Sequence, residues 1–248
     1  MSDPALRIPP RPAPAPSSLP TEPPRVSAPA LLSIDGVWRY WGRGSARWPV
    51  IRDINLQLPS GTAASITGRN GAGKTTLLRI ATGILAPDQG TVRIEQRSVR
   101  GNWREYHRRL GFVSAGDRGL YARLSVRGHL EYWVRLALVR RADRRAAVDE
   151  VLERFELGSL GKRRADRLSQ GQRQRLRLAL AFVHRPRVLL LDEPTNSLDE
   201  DGRRLLCRAV EDLLRAGGGV IWCAPAGEEE VIACDQRWVI EGGRLRAA

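Results

Sequence analysis

The chain has 248 residues, 42% hydrophobic and 27% charged, enough to bury the core of one domain with a subdomain attached. Its formal net charge is +14, carried almost wholly by arginine, and its three cysteines, Cys207, Cys223 and Cys234, have no C-x-x-C spacing. Such a chain is globular rather than fibrous, and its cysteines read as buried reduced thiols rather than bridges or metal ligands.

The first thirty residues hold ten of the sixteen prolines and no apolar core, so they read as an extended, disordered tail and not as a signal peptide. Residues 31–58 alternate as strands around a polar loop, GRGSARWP. TAASIT supplies the next strand and KTTLLRIATG a helix; GTVRI and RLGFV are two further strands flanking a polar segment. SVRGHLEYWVRLALV and DRRAAVDEVLERFEL carry apolar residues three and four apart, which predicts two helices of an inserted subdomain at about 118–167. Then follow helix QGQRQRLRLALAFVH, strand RVLLLD, helix DGRRLLCRAVEDLLRAG, strand GVIWC, a short helix and a strand pair, QRWVIEGGRLR. Helices alternating with wholly apolar strands predict an α/β fold with a mostly parallel sheet covered on both faces. The longest apolar runs, LRLALAFV and RVLLL, fall well short of the roughly 18 residues a membrane span needs.

Between the third strand and its helix stands G-x-x-x-x-G-K-T, comprising Gly68, Arg69, Asn70, Gly71, Ala72, Gly73, Lys74 and Thr75. This is the pattern of a phosphate-binding loop: glycines let successive N–H groups converge on one anion, and the helix start adds partial positive charge. Lys74 is one of only two lysines in an arginine-rich chain. A compact ammonium suits the β and γ phosphates where a planar guanidinium does not. Thr75 suits Mg²⁺, and Thr76 lies at the same helix start. RVLLLDEP puts Asp192 and Glu193 at the carboxyl end of a buried strand, where ligand sites of open α/β sheets lie. Asp192 suits holding Mg²⁺ through water, and Glu193 suits a general base. LSQGQRQR puts Ser169 and Gly171 at the start of a long basic helix. It reads either as a capped surface helix or as a second phosphate site, and two half-sites suggest ATP shared between two subunits.

Residues 68–75 with LSQGQ, LLLDEP and NSLD, in that order, resemble the nucleotide-binding domain of an ABC transporter from residue 31 onward. The resemblance implies a P-loop NTPase core with an antiparallel β subdomain and a helical subdomain. It further implies two copies, identical or different, closing head to tail over two ATP molecules with Mg²⁺. Ser169 and Gly171 would then meet the γ-phosphate held by the partner, and Asp199 would join the dimer interface. An aromatic near the first strand would stack on adenine; in WRYWG, Trp41 fits best and Tyr40 is its rival. Two positions depart from the family: Ala115 stands where a glutamine is usual and Pro225 where a histidine is usual. Ser114 or Asp117 is the substitute considered for the glutamine.

The segment at 116–133 resembles the coupling region of ATPases serving exporters of drugs, polysaccharides or lipids, and the chain ends soon after its last strand, where many importer ATPases add a regulatory domain. The expected function is therefore ATP hydrolysis powering export through a separate membrane permease, from the inner face of the cell membrane. The alternatives are a non-hydrolytic ATP-binding clamp and a soluble relative acting on nucleic acid or ribosomes. Direct nucleic-acid binding is not expected: most arginines are interspersed with acids, and aromatics are not interleaved with them as single-strand binders require. An anionic membrane surface ranks first as the counterpart of the charge.

Overall fold

Strand residues of alternating burial sort themselves between two cores in the computed structural model, which describes residues 30–116, 119–225 and 232–248. The larger sheet has six strands in the order β10-β9-β3-β8-β7-β6. These are β3 (Ala63–Thr67), β6 (Leu110–Val113), β7 (Val188–Asp192), β8 (Gly219–Cys223), β9 (Gln236–Glu241) and β10 (Arg244–Ala247). All neighbours are parallel except the edge pair β9 and β10. Leu189 and Leu191 of β7, with Val220 and Trp222 of β8, face one core; Val188, Leu190, Ile221 and Cys223 face the other. Strands buried on both faces must be apolar throughout, which is why they read as continuous hydrophobic runs.

The first core is closed by helices α3 (Val126–Leu136), α4 (Arg144–Arg154), α5 (Gln170–Phe182) and α6 (Glu200–Arg215). The second is closed by α1 (Lys74–Ala81) and a four-stranded antiparallel sheet in the order β2-β1-β4-β5. That sheet contains β1 (Leu32–Trp41), β2 (Trp48–Leu58), β4 (Gln89–Ile94) and the two-residue β5 (Arg97–Ser98). Neither β5 nor the short α2 (Trp103–His107) is visible in the sequence pattern, where this stretch reads only as polar. Both hold by specific contacts. Asn102 caps α2 by accepting from the Glu105 N–H at 3.1 Å, and buried Tyr106 donates its hydroxyl to the Ala81 carbonyl at the end of α1.

Two helices stop earlier than periodicity predicts. α3 ends at Leu136 and Leu138 has φ +57°; α4 ends at Arg154 and Glu156 has φ +52°. Left-handed backbone ends a helix whatever the apolar spacing beyond it. The proline-rich tail to residue 29, the short helix expected after β8, and Asp117 lie outside the described residues. None of the three cysteines forms a disulfide; Cys223 and Cys234 are buried and Cys207 is partly so.

Candidate functional site

The loop between β3 and α1 is shaped by its glycines. A Cβ on Gly68 would meet the Ile240 carbonyl oxygen at 2.6 Å, so only glycine lets β9 pass this close. Gly71 and Gly73 have φ of +81° and +114°, the latter as the first-turn cap of α1 with no side chain satisfying the helix amides. Unsatisfied amides at a helix start are donors available to an anion. Lys74 is 6% exposed, and its Nζ donates to the Gly68 carbonyl at 2.6 Å and the Arg69 carbonyl at 3.4 Å. The ammonium thus arches back over the loop that precedes it.

The next residue joins this loop to β7. Thr75 Oγ1 donates to Asp192 Oδ2 at 2.8 Å, while Asp192 Oδ1 is buried without a hydrogen-bond partner among the described residues. Burial pushes the Asp192 carboxyl above the usual carboxylate range; the Thr75 hydroxyl and the Ala115 backbone N–H pull it partly back. A buried carboxylate oxygen with no donor, beside a threonine hydroxyl, is what a hard divalent cation such as Mg²⁺ would satisfy, so these residues fit the ion the resemblance implies.

Glu193 follows with φ +49°, a conformation that costs a non-glycine residue energy and is found at constrained sites. It is held by its N–H to the Cys223 carbonyl at 2.9 Å and by Asn196 Nδ2 donating to Oε2 at 2.9 Å. Beside it opens a cavity of about 450 Å³, whose lining includes Gly116, Gln170, Gln174, Arg177, Glu193 and Asn196.

The Ser169 loop is finished differently. Ser169 Oγ accepts from the Gln172 N–H at 3.2 Å while Gln172 Oε1 accepts from the Ser169 N–H at 3.1 Å, a reciprocal cap. Gln170 Nε2 donates to Ser197 Oγ at 2.7 Å, so this loop touches the segment after Glu193 within one chain. Ser169 is exposed and Gly171 half-exposed; no bond joins either to the loop at 68–75 among the described residues. Asp199, exposed, caps α6 through the Gly202 N–H at 2.8 Å and pairs with Arg175 at 3.0 Å.

Trp41 ends β1 opposite Trp48 of β2. It is 38% exposed with the Arg39 guanidinium 5.2 Å from its ring centre, and Trp48, which the sequence did not single out, is 56% exposed. Two and three residues beyond Trp48, the Val50 carbonyl and the Ile51 side chain crowd Gly73, placing this aromatic edge at the strand that flanks the loop. Tyr40 is occupied, with Arg47 4.4 Å over its ring and Trp38 stacked at 6.0 Å. Ala115 lies beside Asp192, and Pro225 follows β8 with no N–H to offer.

Sequence reasoning missed the buried polar residues of α5, where Gln174 Nε2 donates to the Pro194 carbonyl at 2.8 Å and Arg177 Nη1 to Gln174 Oε1 at 2.8 Å. The signal was present. Gln174, Arg177, Leu178 and Ala181 recur at i, i+3, i+4 and i+7, one face of a helix, and all four are buried.

A sequence model described as ABC transporter matches residues 51–196. Among curated relatives, the ABC transporter ATP-binding protein NatA of Bacillus subtilis is 31% identical over 195 residues, 79% of each chain. The Fe(3+) ions import ATP-binding protein FbpC 1 of Rhodococcus jostii is 36% identical over 218 residues, covering 86% of this chain and 60% of that one. The Nod factor export ATP-binding protein I of Paraburkholderia xenovorans is 34% identical over 215 residues, covering 87% and 69%. A solved structure described as the ATP binding subunit of an ABC transporter superposes with TM-score 0.78 at 23% identity, covering 88% and 89%, which is a likeness of fold.

Proposed function

The chain belongs to the ABC transporter family as an ATP-binding domain, and from that premise we propose that it hydrolyses ATP to drive export through a separate membrane permease, bound to that permease at the cytoplasmic face of the membrane. The observation that carries the hydrolytic reading is the buried, half-satisfied Asp192 carboxylate bonded to Thr75, with Glu193 next in the chain.

In this reading the amides of the loop and Lys74 bind the β and γ phosphates, and Thr75 with Asp192 holds Mg²⁺, which when bound neutralises charge developing on the phosphoryl oxygens. Glu193 accepts the proton of the attacking water as its oxygen bonds to the γ phosphorus and the bond to the bridging oxygen breaks, leaving ADP and phosphate. Trp41 stacks on adenine. Ser169 and Gly171 are not joined to their own phosphate loop, and because one chain carries both halves, a second copy is enough to complete the site. Taking such a pair from mostly open to mostly closed requires about 5.5 kcal/mol of differential binding, which two shared γ-phosphates could supply.

Export is supported by the resemblance at 116–133 and by the match to an export ATPase; the importer among the relatives makes direction a matter for transport assays with the cognate permease. A non-hydrolytic clamp is the second reading, favoured by Ala115 and Pro225, which offer no side-chain donor to the nucleotide. Mg²⁺-dependent ATP turnover of the purified protein separates the two. Turnover that disappears in Glu193→Gln supports hydrolysis; ATP binding with no turnover, alone or with permease, supports the clamp.

A further inference from the structure

Arg177 is 8% exposed, on the face of α5 that packs against the sheet. Burying a guanidinium costs several kcal/mol unless its N–H groups find acceptors, whereas a leucine would fill the position without that cost. What the arginine adds is its bonds. Nη2 donates to the Ser114 carbonyl, just past β6, and lies 3.4 Å from the Ser114 hydroxyl; Nη1 donates to Gln174 Oε1 at 2.8 Å. Gln174 passes the connection on, its Nε2 donating to the carbonyl of Pro194 at 2.8 Å. Both ends of this chain of bonds adjoin the carboxylates. Ser114 precedes Ala115, which lies beside Asp192, and Pro194 follows Glu193. β6 and β7 are in register up to Val113 and Leu191, so the arginine bridges the point where their pairing ends.

We propose that Arg177 is a positioning residue for the metal–nucleotide site: through Ser114 on one side and Gln174 and Pro194 on the other, it holds the loop after β6, which passes beside Asp192, at a fixed separation from the loop after β7, which carries Glu193. The bridge fills a structural need at a position where Ala115 contributes only a methyl group. Loss of the bridge lets the two loops move apart, so that the end of β7 with Asp192 and Glu193 loses its support from the β6 side while the loop at 68–75 is untouched. Its effect on turnover rests on the hydrolytic reading above; its effect on metal-assisted binding does not.

The test compares wild type with Arg177→Ala, Arg177→Lys, Gln174→Ala and the Arg177→Ala/Gln174→Ala double variant. ATP affinity is measured by equilibrium dialysis with and without Mg²⁺, alongside thermal midpoints and steady-state turnover. Metal-free ATP affinity is expected to stay within about 2-fold in every variant, while the tightening produced by Mg²⁺ and the turnover each fall about 10-fold in Arg177→Ala, the usual scale for removing a partner that orients a metal ligand. Arg177→Lys, which keeps one donor to Ser114, recovers part of both, and the double variant loses no more than Arg177→Ala, as residues in one network do. Mg²⁺ tightening unchanged in Arg177→Ala overturns the proposal, as do additive losses in the double variant, or a lysine variant no better than alanine with the losses tracking the thermal midpoint. Wild type that shows Mg²⁺ tightening but no turnover, alone or with permease, with the tightening lost in Arg177→Ala, refutes the hydrolytic reading and sustains the positioning role.

Discussion

Helices α1 and α5 both begin at short glycine-containing loops, yet their first turns are finished in opposite ways. α1 starts from Gly73 with no side-chain cap, so its amides are free for an anion and Lys74 is folded over the loop beside them. α5 starts from Ser169 inside a reciprocal cap with Gln172. The first leaves backbone donors that an anion could satisfy. In the second, the Ser169 and Gln172 amides are already held by each other's side chains, and a phosphate from another subunit must compete with those side chains for these two donors. A phosphate loop that binds alone and a serine loop that acts only in a pair should therefore respond to different substitutions.

The largest expected effect is at the loop that acts alone. Lys74→Arg should weaken ATP binding about 100-fold or more, because a planar fork cannot occupy the ammonium's place between two carbonyls and misplacement of a binding group costs on that scale. The nucleotide-free thermal midpoint should change little, and near-normal affinity by equilibrium dialysis would show that the loop tolerates either cation. Glu193→Gln should lower turnover about 100-fold to 10,000-fold, the range for loss of a general base, with ATP affinity retained and the ATP-bound dimer accumulating in size-exclusion chromatography.

Ser169→Ala sharpens the contrast between the two loops. It should leave the ATP affinity of the monomer unchanged, cost about 1 kcal/mol of stability through the lost cap, and impair ATP-driven dimerisation. A loss of monomer affinity would mean that the serine loop serves its own chain. Trp41→Ala should weaken ATP binding by about 0.5–1.5 kcal/mol, the worth of an aromatic stack; an unchanged affinity with a loss in Trp48→Ala would move adenine to the neighbouring tryptophan.

The smallest effect is on pH dependence. Burial holds the pKa of His129 below the usual histidine range, and its Nε2 accepts from the Tyr121 N–H at 2.9 Å. A depressed pKa means that the unfolded chain takes up the proton first. Stability from this residue is thus fully present above the ordinary pKa of 6.5 and is lost as pH falls below it toward the folded value. His129→Gln should flatten the fall in thermal midpoint between neutral and mildly acid pH; an unchanged slope would assign it to other groups, His184 first, whose pKa burial also lowers.

Much of this was legible in the residues because the relevant signals are local. Gly68 to Thr75 in sequence order specify a loop with little help from elsewhere, and β7 and β8 announce their two-sided burial by being wholly apolar. What escaped depends on contacts distant in sequence. α2 and β5 are too short for periodicity and are held by a cap and by Tyr106 reaching α1. The left-handed Glu193 follows from its contacts with Cys223 and Asn196. Arg177 was read as part of a basic helix: its spacing placed it on the apolar face of α5, but the acceptor that makes its burial tolerable, Ser114, lies 63 residues away and leaves no local mark.

The most direct test of the account is ATP turnover with Mg²⁺ as a function of protein concentration, for wild type and Ser169→Ala. Two separate half-sites in one chain predict specific activity that rises with concentration to a plateau, with Ser169→Ala displaced to higher concentration. Specific activity independent of concentration, and equal in the two proteins, would mean that a single chain completes its own site and would contradict the account.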